Sequence, residues 1–436
     1  MKKESAYIID NAQSFILKML TWANDFKRIC FLNNNFYDKD KYISYDCILA
    51  VGKTDEIIIS EKNNTPHDSF EVLKNFHKKS KTWLFGFLSY DLKNELENLT
   101  SSNFDGIQMP NMHFFIPEYI LLFKNNQIKI ISSKKTPEII FKEILNTKEK
   151  LFHPEVINKK IERRLSKRKY LASVENIIKH IHHGDIYEMN FCQEFFIENA
   201  EIDPLNLYLG LNDASPSPFS CYYRFDDKYL LCASPERFLK KEKRKIISQP
   251  IKGTIRRGKD EVEDKLLKEL LLSNEKEQSE NVMIADLVRN DLSKTALPET
   301  VHIEELFGIY SFRQVHQMIT TISSQMRNDV SFTDVLKHAF PMGSMTGAPK
   351  VKAMELIEEY ENTKRGLYSG SVGYITPDED FDFNVVIRSI LYHAENKYLS
   401  FMAGSAITAN SIAEKEYEEC LLKVKAIAEL FATDFD

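Results

Sequence analysis

The 436-residue chain carries 58 lysines and arginines against 64 aspartates and glutamates, a formal net charge of −6, and 43% of its residues are hydrophobic. That length and apolar fraction can bury a large core over two or three domains, and with no basic excess an electrostatic grip on nucleic acid is not expected. No run of about 18 apolar residues is present and the opening MKKESAYIIDNAQSF lacks a signal-peptide core, so neither export nor membrane insertion is expected.

Residues 1–157 read as a β-rich region packed into the same globule as residues 158–436. YISYDCILAVG, EIIIS, TWLFGFLSYDL and YILLFKNNQIKIISS are strand-like, separated by Asn-Asn turn signals. Trp83, Phe85 and Phe87 alternate, which predicts one buried strand face. The polar stretch NKKIERRLSKRK, from Asn158, marks a boundary and reads as a solvated face. Ser166 is placed to cap a helix whose apolar positions Tyr170, Val174, Ile177, Ile178 and Ile181 recur at helical spacing and whose end falls at Gly184. Beyond it, DKYLLCASPERFL and RKIISQPIKGT are strand-like and Asp260–Leu292 is helix-rich. LYSGSVGYITPDEDFDFNVVIRSILYH is a strand pair turning at Pro377–Asp380, and a last helix spans about Ser411–Phe431. The fold class expected is α+β, with large sheets flanked by helices.

The six cysteines, Cys30, Cys47, Cys192, Cys221, Cys232 and Cys420, have no CxxC pairing or zinc spacing and read as reduced thiols of a cytoplasmic protein. Glu277 and Glu280 lie three apart in one helical stretch, and Glu416 and Glu419 three apart in another. Each pair can share a helix face, and four converging carboxylates suit a hard divalent cation such as Mg²⁺, although such pairs are more often solvated. GSMTGAPK at Gly343–Lys350 fails as a phosphate loop, because Ala348 and Val351 stand where a glycine and a hydroxyl are needed. What remains is a turn entering a helix through Pro349, either structural or able to receive a carboxylate. His180, His182 and His183 suit a helix C-terminus, and His316 reads equally as a ligand or as a satisfied core residue.

SPERFL, SQPIKGTIRRG, ENVMIADLVRNDL, FPMGSMTGAPKVKAMELIEE, YSGSVGYI, FNVVIRSI and the Glu416 region together resemble the chorismate-utilising enzymes, specifically component I of anthranilate synthase and of aminodeoxychorismate synthase. The resemblance covers about Ile161–Leu430 in the family's motif order, and it implies that family's fold. It further implies Mg²⁺ on Glu280 and Glu419, with Glu277 and Glu416 nearby. Tyr368, Arg388 and the backbone N–H groups of a loop at Gly404, Ser405 and Ala406 would receive a substrate carboxylate, a natural partner for a bidentate guanidinium. Thr254, Thr346 and His316 complete the implied substrate-binding set. Ala406 stands where the family commonly has glycine, and backbone donation survives if its φ stays negative.

Within the family, PIKGT resembles the aminodeoxychorismate synthases, whereas anthranilate synthases resemble PIAGT. The resemblance therefore implies that Lys252 attacks C2 of chorismate to give a covalent adduct, with Glu236 of SPERF as general acid and base. Glu188 in GDIYEMNFCQ departs from the GDIYQVN pattern of aminating members and from the lysine of water-activating ones. No LLES-type motif is visible near the N-terminus, so feedback by tryptophan is not expected. Nor is a glutaminase or lyase region seen, so ammonia is expected from a separate glutamine amidotransferase component II subunit, and 4-aminobenzoate from a further enzyme. The alternatives are anthranilate synthase component I and an inactive chorismate-binding partner subunit.

Overall fold

The computed structural model describes residues 3–60, 68–153 and 159–431. The boundary expected at 157–158 lies outside the described residues. Two large sheets carry the architecture, and the ladders between their strands are antiparallel. In the first, the N-terminal strands Lys3–Ile8, Gln127–Ser132, Tyr119–Lys124, Cys47–Val51 and Arg28–Asn33 continue directly into Phe219–Phe225, Lys228–Ser234, Ser389–His393, Tyr398–Ile407 and Glu188–Ile197. The second runs from Ile251–Arg256 through Val315–Gln325, Lys245–Gln249, Arg237–Glu242, Phe381–Asn384 and Ser371–Ile375 to Leu84–Leu88, Met112–Ile116 and Asp55–Ile59. Each sheet thus joins a block of strands from the N-terminal region edge to edge with a block from the rest of the chain.

Side-chain alternation explains the layering. Along the first sheet Phe31, Leu49 and Leu121 face a core shared with helices, while Cys30, Ile48 and Leu122 face a second core shared with Phe85, Phe87, Phe115 and Val372 of the other sheet. Helices Ser69–Ser80, Glu275–Ser293 and Phe332–Ala339 cover the far side of that second sheet through Phe70, Ala285 and Leu336. Buried on both faces, the strand Leu84–Leu88 reads as an apolar run, and Trp83 stacks on Phe85 with ring centroids 6.0 Å apart.

The helix expected after Ser166 spans Lys167–His183. Ser166 Oγ accepts from the Lys169 N–H, Tyr170, Val174 and Ile177 are buried, and Gly184 closes it at φ +92°. That left-handed conformation is cheap for glycine and lets its N–H reach the His180 and Ile181 carbonyls. The N-terminal region is not made of strands and turns alone. Ala12–Ala23 is a helix capped by Asn11, Ser69–Ser80 is capped by Asp68, and Pro137–Asn146 starts on its proline. All six cysteines are buried and free, and among the described residues no helix is long and apolar enough to cross a membrane.

Candidate active site

Lys252 projects from a break in the edge of the second sheet. Strand Ile251–Arg256 pairs with Val315–Gln325 at Ile251↔Ile319 and again at Thr254↔Gln317, and the register shifts between these two points. Gly253 makes the bulge possible with φ +97°, and a Cβ there would lie 3.2 Å from both Glu277 Oε2 and Met318 Cβ. Asn281 of helix Glu275–Ser293 fixes the same point by donating Nδ2 to the Lys252 carbonyl at 3.2 Å. The lysine side chain, 11% exposed, crosses to the end of the first sheet, where Nζ donates to Glu188 Oε1 at 2.7 Å. Burial alone would depress this ammonium, but Glu188, Glu280 and Glu236 outweigh it and hold the pKa above its ordinary value.

Glu236 is buried between strands Lys228–Ser234 and Arg237–Glu242, its backbone N–H on Ser234 Oγ and its carbonyl receiving the Val385 N–H. Burial pushes its carboxyl up to about 7, against opposing pulls from Ser344, Lys252, the Ile251 N–H and Arg388. Arg388 sits between strands Phe381–Asn384 and Ser389–His393 at φ +49°, a strained conformation for a side chain of this size. Burial lowers its guanidinium to about 10, with Glu236 opposing. Among the described residues no carboxylate pairs with that guanidinium, so its donor fork is free to take an anion.

The two glutamate helices meet the lysine from the side. Glu280 and Glu416 are buried, Glu277 is half-buried, and Glu419 is 46% exposed and paired with Lys423 at 2.7 Å. Burial raises the Glu280 carboxyl to about 7, with Lys252 opposing and Glu188 reinforcing. Burial also raises Glu277, whereas at Glu419 the same effect is outweighed by Lys423 and the carboxyl lies below its usual range. Lys276 feels Glu280, Glu416, Glu277 and Glu419 together, and they hold it charged against burial. The buried Oε1 of Glu280 has no hydrogen-bond partner, its counter-charge being Lys276 Nζ at 3.6 Å. An orphaned hard oxygen in an acidic surround fits Mg²⁺. The four carboxylates are nevertheless not grouped as closely as a ligand sphere requires, and Lys276 and Lys423 pair with Glu280 and Glu419. Among the described residues the group with ligand atoms within 4.8 Å of one another is Asp227, His393 and Glu395, at the far end of strand Lys228–Ser234 from Glu236.

Other expected residues take varied places. Gly404, Ser405 and Ala406 lie not in a loop but in strand Tyr398–Ile407, facing Cys192, Phe191 and Asn190. The neighbouring strand on the other side stops at Ile390↔Phe401, so past that point one edge of the backbone is outside the ladder. Ala406 is absent from the positive-φ residues, and its methyl costs the backbone nothing there. Tyr368 is buried with its hydroxyl 3.9 Å from Cys192 Sγ, next to Gly404. Thr346 spends its hydroxyl on the Met342 carbonyl at 3.0 Å. His316 spends both ring nitrogens, on Ser311 Oγ and Asp264 Oδ1, each at 3.0 Å, and is a satisfied interior histidine. Strand parity turns its neighbour Gln317 the other way, toward Thr254, with Nε2 3.5 Å from Thr254 Oγ1 and a buried Oε1 that has no partner. Asn281, Gln317 and Ser344 contact Lys252, Thr254 and Glu236 respectively, and sequence reading does not single them out. The parity of the strand Val315–Gln325 is the signal that could expose Gln317.

A buried lysine paired with Glu188, a buried carboxyl near neutrality, an arginine without a carboxylate partner among the described residues and a cluster of glutamates thus lie in one electrostatically coupled region. The family model described as chorismate binding enzyme matches residues 29–429, and the chain belongs to that family. The probable aminodeoxychorismate synthase, chloroplastic, of Oryza sativa subsp. japonica is 43% identical over 264 residues, 60% of this chain and 29% of that protein, so the match spans less than a third of that relative's length. Anthranilate synthase component 1 of Acetivibrio thermocellus is 30% identical over 442 residues, 91% of this chain and 89% of that protein. The crystal structure of anthranilate synthase component I from Streptococcus pneumoniae TIGR4 superposes with a TM-score of 0.77 at 27% identity, covering 87% of this chain and 91% of that one.

Proposed function

We propose that this chorismate-binding enzyme aminates chorismate at C4, giving 4-amino-4-deoxychorismate, with Lys252 as covalent nucleophile. The observation that carries the reading is the Lys252 side chain itself, buried and projected by the Gly253 bulge toward Glu236, Glu280 and Glu188. A lysine in this position supplies an internal amine for C2, while the Glu236 carboxyl, neutral up to about pH 7, can protonate the departing C4 hydroxyl. Ammonia then adds at C4, the C2–N bond breaks, and the Glu236 carboxylate takes the surplus proton. Two successive allylic displacements put nitrogen where the hydroxyl was. Arg388 offers a fork for a substrate carboxylate. Mg²⁺ would be held by Glu280 with Glu277, Glu416 and Glu419, and when bound would neutralise the ring carboxylate against these glutamates.

Relatives bearing both names leave anthranilate synthase component I as the second reading, and Lys252 is the observation that favours the first. In this reading ammonia comes from a glutamine amidotransferase subunit in the cytoplasm. The test is Lys252→Ala with chorismate, Mg²⁺ and an ammonium salt. Formation of the C4 product should fall by orders of magnitude, and an undiminished rate removes the lysine from the chemistry.

A further inference from the structure

Lys252 can attack only as the neutral amine, because a protonated amine has no lone pair to give. An acceptor in contact with Nζ is therefore required. That contact is Glu188 Oε1, at 2.7 Å.

Several features show a fixed rather than an incidental pair. Glu188 is 1% exposed and opens strand Glu188–Ile197, the N-terminal end of which pairs with the short strand Gly347–Ala348. A Cβ on Gly347 would lie 2.2 Å from the Glu188 carbonyl oxygen, so the two backbones meet at a distance that glycine alone allows. Arg365 ties the strand Glu188–Ile197 to the turn Gly343–Met345 that leads into Gly347, donating to the Asn190 carbonyl at 2.9 Å and the Met345 carbonyl at 2.6 Å. The second oxygen of Glu188, Oε2, is buried without a hydrogen-bond partner. A purely structural buried carboxylate would be expected to satisfy both oxygens.

We propose that Glu188, at the position where the sequence departs from the GDIYQVN pattern, is a positioning residue that holds Lys252 in line and takes its proton during the reaction. The inference rests on the covalent role of Lys252. The transfer converts the Lys252 ammonium and Glu188 carboxylate into a neutral amine and a neutral acid. The amine attacks C2 to form a secondary ammonium adduct, and the C4 hydroxyl leaves as water with the proton of Glu236. Ammonia attacks C4, the C2–N bond breaks, and the amine leaves neutral. It then recovers its proton from Glu188, while Glu236 takes the proton of the new C4 ammonium group. Every proton returns to its donor, and the net exchange is hydroxyl for amine with release of water.

The test measures chorismate consumption with an ammonium salt and Mg²⁺ in full-length wild-type, Lys252→Ala, Glu188→Gln and Glu188→Ala proteins, with melting temperatures alongside. Glu188→Gln should lose about 100-fold in kcat, the scale of one proton-transfer group, with KM for chorismate changed less than about threefold. Added formate, a small carboxylate able to enter the vacated space, should restore turnover of Glu188→Ala without moving its melting temperature. An inactive Lys252→Ala beside a Glu188→Gln retaining more than about a third of wild-type kcat overturns the role of Glu188 alone. Losses of kcat that track lost melting temperature and resist formate reduce Glu188 to a structural ion pair. Undiminished turnover of Lys252→Ala overturns the covalent reading and the role of Glu188 with it.

Discussion

At Arg388 the backbone is strained and the side chain has no carboxylate partner among the described residues, two costs that a substrate carboxylate would offset. Replacing Arg388 with Lys keeps a charge but loses the planar fork. The KM for chorismate should rise by the equivalent of about 1–3 kcal/mol, with an unchanged KM removing the residue from the site. Glu236 offers a pH test. Its folded carboxyl is raised to about 7 by burial, so the stability linked to its proton is present in full below the unfolded value of 4.5 and is lost as pH rises through about 7. Denaturant titrations should show Glu236→Gln with a shallower loss of stability across that window, and parallel curves would contradict the assignment. Lys252, Glu236 and Arg388 stand out in the sequence as candidates because they lie in contiguous motifs. His316 stands out there in place of Gln317 because a motif does not say which face of a strand a residue takes, and that parity is fixed by pairing with Thr254.

Among the elements, the lysine strand and the helix after Ser166 mark the two extremes of legibility. The helix announces itself, with a capping serine, apolar residues at helical spacing and a closing glycine, all local signals. Ser166→Ala should cost about 0.5–2 kcal/mol in chemical denaturation and leave the KM for chorismate untouched. The bulge at Gly253 has no such local signature. It exists because a strand broken at its edge must pass Glu277 and Met318 closely. Gly253→Ala would place a methyl against both at a φ that disfavours it, costing about 1–2 kcal/mol. It should also lower kcat more than the lost stability explains, because Lys252 moves with it; a stability loss with kcat intact would show that the bulge does not set the lysine's position. The N-terminal helices escape notice because their aromatic and β-branched content, as in FILKMLTW, matches strand preferences, and their caps Asn11 and Asp68 are residue types equally at home in turns.

On the scale of the whole molecule, the site is a seam between two sheets. Lys252 comes from the edge of one, Glu188 and Gly404–Ala406 from the end of the other, and the two glutamate helices close the side. Contacts such as Lys252 to Glu188, 64 residues apart in the chain, leave no mark in local sequence pattern and appear only when the sheets are assembled. Under the proposed function the acidic cluster holds a cation on which turnover depends. EDTA should abolish turnover, with Mg²⁺ restoring it, and full activity in chelator would remove the cation from the chemistry. The most direct measurement is the identity of the product made by the purified chain from chorismate, Mg²⁺ and ammonium chloride, resolved by chromatography with mass detection. C4 amination through Lys252 predicts 4-amino-4-deoxychorismate with no fluorescent anthranilate, whereas anthranilate as the main product would contradict it.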